Sequence, residues 1–144
     1  MTAWLIGNYP DVWRAAMAGA PVTDYLDQYT MADVNNLFGD GFNELPWSPE
    51  GQAVWNEQSP ITHIYRATTP TLIMSNTGDA RVPITQSYKL YHALNDREVP
   101  VEFIAYPIPG HFPGDPVHER DVLRRWVGWM DQRFELARDA PVPD

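Results

Sequence analysis

A chain of 144 residues with 44% hydrophobic and 12% aromatic residues is long enough for one domain with its own core and too apolar for a disordered polymer. Lys and Arg number 10 against 19 Asp and Glu, and the resulting net charge of −9 repels phosphate backbones and anionic lipid, which argues against nucleic acid or a membrane surface as partner. With no Cys, disulfides, thiolate nucleophiles and Cys-ligated metals are excluded.

In chain order, Thr2 to Asn8 reads as the tail of a helix, stopped by Gly7-Asn8 and Pro10. No basic segment precedes this apolar opening, and Pro10, Asp11 and Arg14 interrupt it, so a cleaved signal is not expected. No window approaches the ~20 continuous apolar residues of a membrane span. A cytoplasmic location is the expectation. Trp13 to Ala18, closed by Gly19-Ala20-Pro21, suits a strand buried on both faces, as in a parallel sheet.

From Thr23 to Arg66 aromatics, Asn, Gly and Pro are scattered without a sustained period, which predicts short helices and loops over one end of a sheet. Ser48-Pro49 supplies an N-cap and a first-turn proline for a helix through Trp55, and Ser59-Pro60 repeats the device. Thr71 to Met74 predicts a second buried strand. Ile84, Tyr88, Tyr91 and Leu94 then recur at helical spacing, predicting an amphipathic helix from Pro83 to Asn95. Val101 to Tyr106 predicts a third strand, ended by Pro107 and Pro109. Val122, Leu123, Trp126, Val127, Met130 and Phe134 define a wide apolar helix face from Glu119 onward. The expected organisation is one unit over residues 1–138 with a frayed tail at 139–144. Strand, helix, strand, helix in succession predicts an α/β fold.

Ligands and catalytic groups gather on loops at the carboxyl ends of parallel strands. Two such loops carry chemistry: Asp79 follows the second strand and His111, in YPIPGHF, follows the third, one helix and one strand later. A carboxylate beside an imidazole fixes its tautomer, orients the ring and stabilises the imidazolium formed when the ring takes a proton. Taken alone, Asp79 reads more readily as a turn aspartate after Gly78, and His111 as a loop imidazole bonded to a carbonyl. Ser48, Ser59, Ser75 and Ser87 are the serines of the chain, and none lies in a Gly-x-Ser-x-Gly elbow.

Trp47, Trp55 and Phe112 are candidates for an apolar substrate pocket, with core or interface filling as the alternative for each. Arg81 is expected to pair with a carboxylate or brace the Asp79 loop. His63, His92 and His118 lack the spacing of a metal site, so no metal and no cofactor is expected.

Four segments carry a resemblance: MTAWLIGNYPDVWRAAMAGAPVTD, SPITHIYRATTPTLIMSNTGDARVPITQSYKLYHAL, VEFIAYPIPGH and RDVLRRWVGWMDQRF. Together they resemble the carboxyl-terminal part of the catalytic domain of prolyl oligopeptidase family serine peptidases, in the acylaminoacyl-peptidase and dipeptidyl-peptidase-like branch. The resemblance implies a partial α/β-hydrolase fold, about three parallel strands flanked by helices, with the amino-terminal half of the domain missing. It implies Asp79 as the triad acid and His111 as the general base of peptide or ester hydrolysis. It also implies an elbow serine roughly five residues before Met1, leaving the chain inactive alone. The alternative is a non-catalytic α/β subunit or relic. In either case the first strand lacks a neighbour on one side, so a homo-oligomer or a complementing fragment is the expected partner.

Overall fold

The computed structural model describes residues 1–34, 42 and 44–138; the expected frayed tail at 139–144 lies outside them. The elements are α1 (Thr2–Asn8), β1 (Ala16–Gly19), α2 (Tyr25–Met31), α3 (Pro49–Gln58), α4 (Pro60–His63) continued by a 3₁₀ turn at Ile64–Arg66, β2 (Thr71–Gly78), α5 (Thr85–Asn95), β3 (Val101–Pro109) and α6 (Pro116–Arg138). All strand pairing is parallel, in the order β1-β2-β3. No helix among the described residues is long and apolar enough to cross a membrane.

The sheet separates two apolar layers, and the alternation of β2 decides what enters each. Ile73 points into a cluster with Ala3 and Ile6 of α1, Ala16 and Ala18 of β1, and Leu90 and Leu94 of α5. Leu72 and Met74 point to the opposite face, where they meet Tyr106 and Trp129, with Val122, Trp126 and Met130 of α6 packed around them. Fully burying a side chain such as Leu72 or Ile73 contributes about 1.5–3 kcal/mol. The central strand carries several in succession, so β2 anchors the domain.

Local chemistry sets the helix starts. Ser48 accepts the Gly51 N–H at 3.0 Å and caps α3, with Pro49 in the first turn. Asp24 caps α2 through Leu26 N–H and Asp27 N–H, and Asp115 caps α6 by accepting Val117 N–H and His118 N–H, both at 3.1 Å. The last helix therefore begins at Pro116, earlier than the expected Glu119. Ser59 precedes Pro60 as expected but does not cap α4: its hydroxyl accepts Tyr25 N–H and donates to the Trp55 carbonyl, joining α2 to α3.

Four expectations are corrected. The first strand is Ala16–Gly19, with Trp13 41% exposed ahead of it. Its burial alternates, because Ala16 and Ala18 face the α1–α5 layer while the other face is only partly covered by α6. The second strand runs on to Gly78, its residues Thr71 to Asn76 all buried between two neighbours. The third continues through Pro107 to Pro109. Among the described residues it is an edge strand, and a proline's missing N–H costs nothing on the side with no partner. The buried side of α5 is Gln86, Ser87, Leu90 and Leu94, rotated from the expected Ile84–Tyr88–Tyr91–Leu94 stripe.

That rotation has a polar cause. Gln86 is wholly buried, with its Oε1 accepting Thr23 N–H and Asp24 N–H, each at 2.8 Å, and the Thr23 hydroxyl at 2.7 Å; its Nε2 donates to the Asp24 carbonyl. A glutamine so fully paired is stable in the interior, whereas Tyr88 stays 43% exposed. Lys89 ties the same region by reaching Asp24 and Asp27. Burial pulls its ammonium pKa down, but the hydrogen bonds to the two carboxylates outweigh that and leave it raised.

Candidate active site

The carboxyl end of β2 runs into a tight turn built by Asp79. Its N–H donates to the Asn76 carbonyl at 3.4 Å. Its Oδ1 accepts Arg81 N–H at 2.8 Å and Val82 N–H at 2.9 Å, a local side-chain-to-backbone closure of the kind short acidic residues make. The turn is braced from outside by buried Gln28 of α2, whose Nε2 donates to the Arg81 carbonyl at 2.6 Å, and by Asp33, whose N–H donates to the Ala80 carbonyl. Arg81 pairs with Asp33 at 2.7 Å as expected of it, and its guanidinium hydrogen bond holds the Asp33 carboxyl below the ordinary carboxylate range.

At the end of β3, Gly110 adopts φ +82°, a backbone turn that glycine makes without strain, and delivers His111 toward that carboxylate. Imidazole Nδ1 lies 2.8 Å from Asp79 Oδ2. The Asp79 side chain is fully buried while that of His111 is 28% exposed. A carboxylate is an acceptor, so the shared proton sits on Nδ1 and leaves Nε2 as the ring's acceptor. One carboxylate thus does two jobs: Oδ1 closes its own turn, and Oδ2 orients the imidazole.

The other candidates separate. Phe112 is 75% exposed and stands edge-on to the His111 ring at 4.3 Å between centroids. It lines a cavity of about 280 Å³ together with His111, Met74, Tyr106 and Trp126. Trp55 is elsewhere and has no exposed surface: its indole N–H donates to the Glu44 carbonyl and its ring meets Tyr29 and Phe42, so it fills the α2–α3 junction rather than a pocket wall. Trp47, 65% exposed, packs against the Tyr29 ring and does not line the cavity beside His111.

Ser75 borders that cavity, but its hydroxyl is buried in a 2.5 Å hydrogen bond with Ser87. His63 contacts the Glu57 carbonyl, His118 is paired with Asp115, and His92 lies on α5. No group of three or more potential metal ligands occurs among the described residues.

Two residues at the site carry no motif in the sequence. Asn76 and Gln28 are isolated polar residues whose partners lie far along the chain, so only the fold reveals them.

A parallel sheet with these two loops side by side at its carboxyl rim, helices on both faces, defines part of an α/β-hydrolase domain. The prolyl oligopeptidase family model matches residues 1–137, and the chain belongs to that family. It is 34% identical over 134 residues to the acylamino-acid-releasing enzyme of Homo sapiens, covering 88% of this chain and 18% of that protein. To the enzyme of the same name in Arabidopsis thaliana it is 33% identical over 143 residues, 94% of this chain and 19% of the relative. The solved structure of uncomplexed Pyrococcus horikoshii acylaminoacyl peptidase shares the fold with a TM-score of 0.80 at 21% identity, over 92% of this chain and 22% of that one. The chain therefore spans about a fifth of the length of the relatives it matches.

Proposed function

We propose that this chain is the acid-and-base portion of a serine peptidase or esterase catalytic domain. His111 serves as general base and Asp79 as its orienting acid in the hydrolysis of a peptide or ester bond. The observation that carries this is the 2.8 Å approach of His111 Nδ1 to a fully buried Asp79 carboxylate. That contact leaves Nε2 available to take a proton from a hydroxyl and return it to a leaving group.

Ser48 caps α3, Ser59 is hydrogen-bonded between Tyr25 N–H and the Trp55 carbonyl, and Ser75 and Ser87 form a buried pair, so the nucleophile is supplied by residues outside these 144 and the chain is inactive by itself. The names of the relatives favour an N-acylated amino acid as the group released, and a cytosolic compartment agrees with the lack of Cys. Phe112 and the cavity behind it would border the bound substrate.

The test is turnover of an activated p-nitrophenyl ester. The purified chain alone should give none. Mixed with a polypeptide carrying the preceding part of a family catalytic domain, through its Gly-x-Ser-x-Gly elbow, it should give turnover that His111→Ala abolishes. Turnover by the chain alone that His111→Ala abolishes would overturn the proposal, as would a stable mixture with no activity.

A second reading, a non-catalytic module that binds another chain, is favoured by one feature. On the side away from β2, β1 has no strand partner among the described residues, and Leu123 and Val127 of α6 are 58% and 60% exposed. An open strand edge and exposed apolar side chains each invite pairing with a second copy or a complementing polypeptide. Light scattering on the purified chain should give a mass above 16.4 kDa; a monomer that also ignores a complementing polypeptide would remove this reading.

A further inference from the structure

Between the Asp79 turn and the His111 loop stands a buried side chain that the chemistry above does not use. Asn76, in β2 opposite Tyr106, is 3% exposed. Its Nδ2 donates to the Gly110 carbonyl at 2.8 Å, on the residue immediately before His111, and its own carbonyl accepts the Asp79 N–H. Gly110 N–H donates in turn to the Gly78 carbonyl at 3.2 Å. The residue that launches His111 is thus held at both its N–H and its C=O by β2, and one of the two ties is a side chain.

The reason a side chain is needed lies in the ladder. The β2–β3 register shifts between Asn76 and Gly78, so regular pairing ends where the two loops begin. Gly78 approaches β3 so closely that a Cβ there would stand 2.9 Å from Pro109 Cα. Beyond this point the Gly110 carbonyl has lost its ladder partner. Gly110 itself, at φ +82°, is the least restrained residue type in the chain. An apolar residue at position 76 would satisfy the β-propensity of the strand but leave that carbonyl without a donor and the His111 peptide free to rotate.

We propose that Asn76 is a positioning residue for His111. By fixing the plane of the Gly110–His111 peptide it sets the direction from which Nδ1–H meets Asp79, and through its main-chain carbonyl it ties the Asp79 turn to the same point. This rests on the acid–base reading of the pair. Asn76 hydrogen-bonds neither the imidazole nor the carboxylate side chain; it holds the two loops in register with one another.

The experiment is NMR of the ¹⁵N-labelled chain, following the His111 Nδ1 proton. In the wild type it should be a sharp downfield signal that Asp79→Asn removes. Asn76→Ala, and the isosteric Asn76→Asp, which sets an acceptor against the Gly110 carbonyl, should broaden that signal and raise its exchange with water roughly tenfold, as loss of one hydrogen bond predicts. Ser48→Ala, which weakens the distant α3 cap, should leave it unchanged, so general destabilisation is not what is read.

Folding of each variant is checked from the Leu90 and Leu94 methyl resonances on the far face of the sheet. If Asn76→Ala fails that check, Asn76→Asp carries the test. A sharp, slowly exchanging signal in the folded Asn76 variants would overturn the positioning role and leave the Asp79–His111 pair intact. A wild type in which Asp79→Asn changes nothing would overturn the pair itself.

Discussion

Asp79 provides the sharpest prediction, because its two oxygens have separable duties. Replacement by alanine removes the acceptor for Val82 N–H, on a residue only 7% exposed, together with the acceptors for the half-open Arg81 N–H and for the His111 ring. A buried donor left unsatisfied costs about 1–3 kcal/mol, and a hydrogen bond to a charged group contributes about 1.5–3 kcal/mol. The exposed share of the ring and of Arg81 recovers part of this from water, so Asp79→Ala should lower stability by about 3–4 kcal/mol. Asp79→Asn keeps an oxygen for both amides and loses chiefly the imidazole contact, which sets its cost at about 1 kcal/mol. His111→Ala removes only the partly exposed end of the pair and should cost about 1 kcal/mol or less. Urea unfolding of the three variants, compared at constant m-value, reads these differences directly. Equal destabilisation by Asp79→Ala and Asp79→Asn would show that Oδ1 does not build the turn, and the reasoning would fail.

The buried glutamine is predicted to matter more than the tyrosines beside it: Gln86→Ala strands the Thr23 and Asp24 amides and should cost about 2–4 kcal/mol in the same unfolding assay, whereas Tyr88→Ala, at a residue 43% exposed, should stay near 1 kcal/mol. Gly78→Ala drives a Cβ to 2.9 Å from Pro109 Cα and should lower the thermal midpoint as an overpacking change of about 1–3 kcal/mol; an unchanged midpoint would mean that β2 and β3 splay freely there. Tyr106 is pushed up to about 12 by burial and by its hydrogen bond to Asp121. Its folded-state pKa lies above the ordinary 10.0, so the phenol stabilises fully below pH 10 and that contribution disappears as pH rises through about 12. The stability difference between wild type and Tyr106→Phe should therefore be flat below pH 10 and shrink above it; a difference constant to pH 12 would contradict this.

The parallel sheet and the meeting of Asp79 with His111 were legible because their signals are local. Gly78-Asp79 and Gly110-His111 follow apolar strands by a few residues, and a loop after a parallel strand emerges at the carboxyl rim whatever the rest of the chain does. The same holds for Ser48-Pro49, whose cap bond spans one helical turn. Element ends were less legible. Pro107 reads as a strand breaker until β3 is known to be an edge, and the polarity of Gln86 hides its burial until Thr23 and Asp24 come to meet it.

The sequence by itself determined the α/β class, the Ser48-capped start of α3 and the two loops that meet, since each depends on neighbours within a turn or on the alternation of one strand. Only the tertiary structure decided that Trp55 is sealed between helices while Phe112 stands open beside the imidazole, and that Asn76 reaches a carbonyl 34 residues away. Such contacts depend on where distant segments are brought together, and a lone polar or aromatic residue carries no periodic signal of its destination.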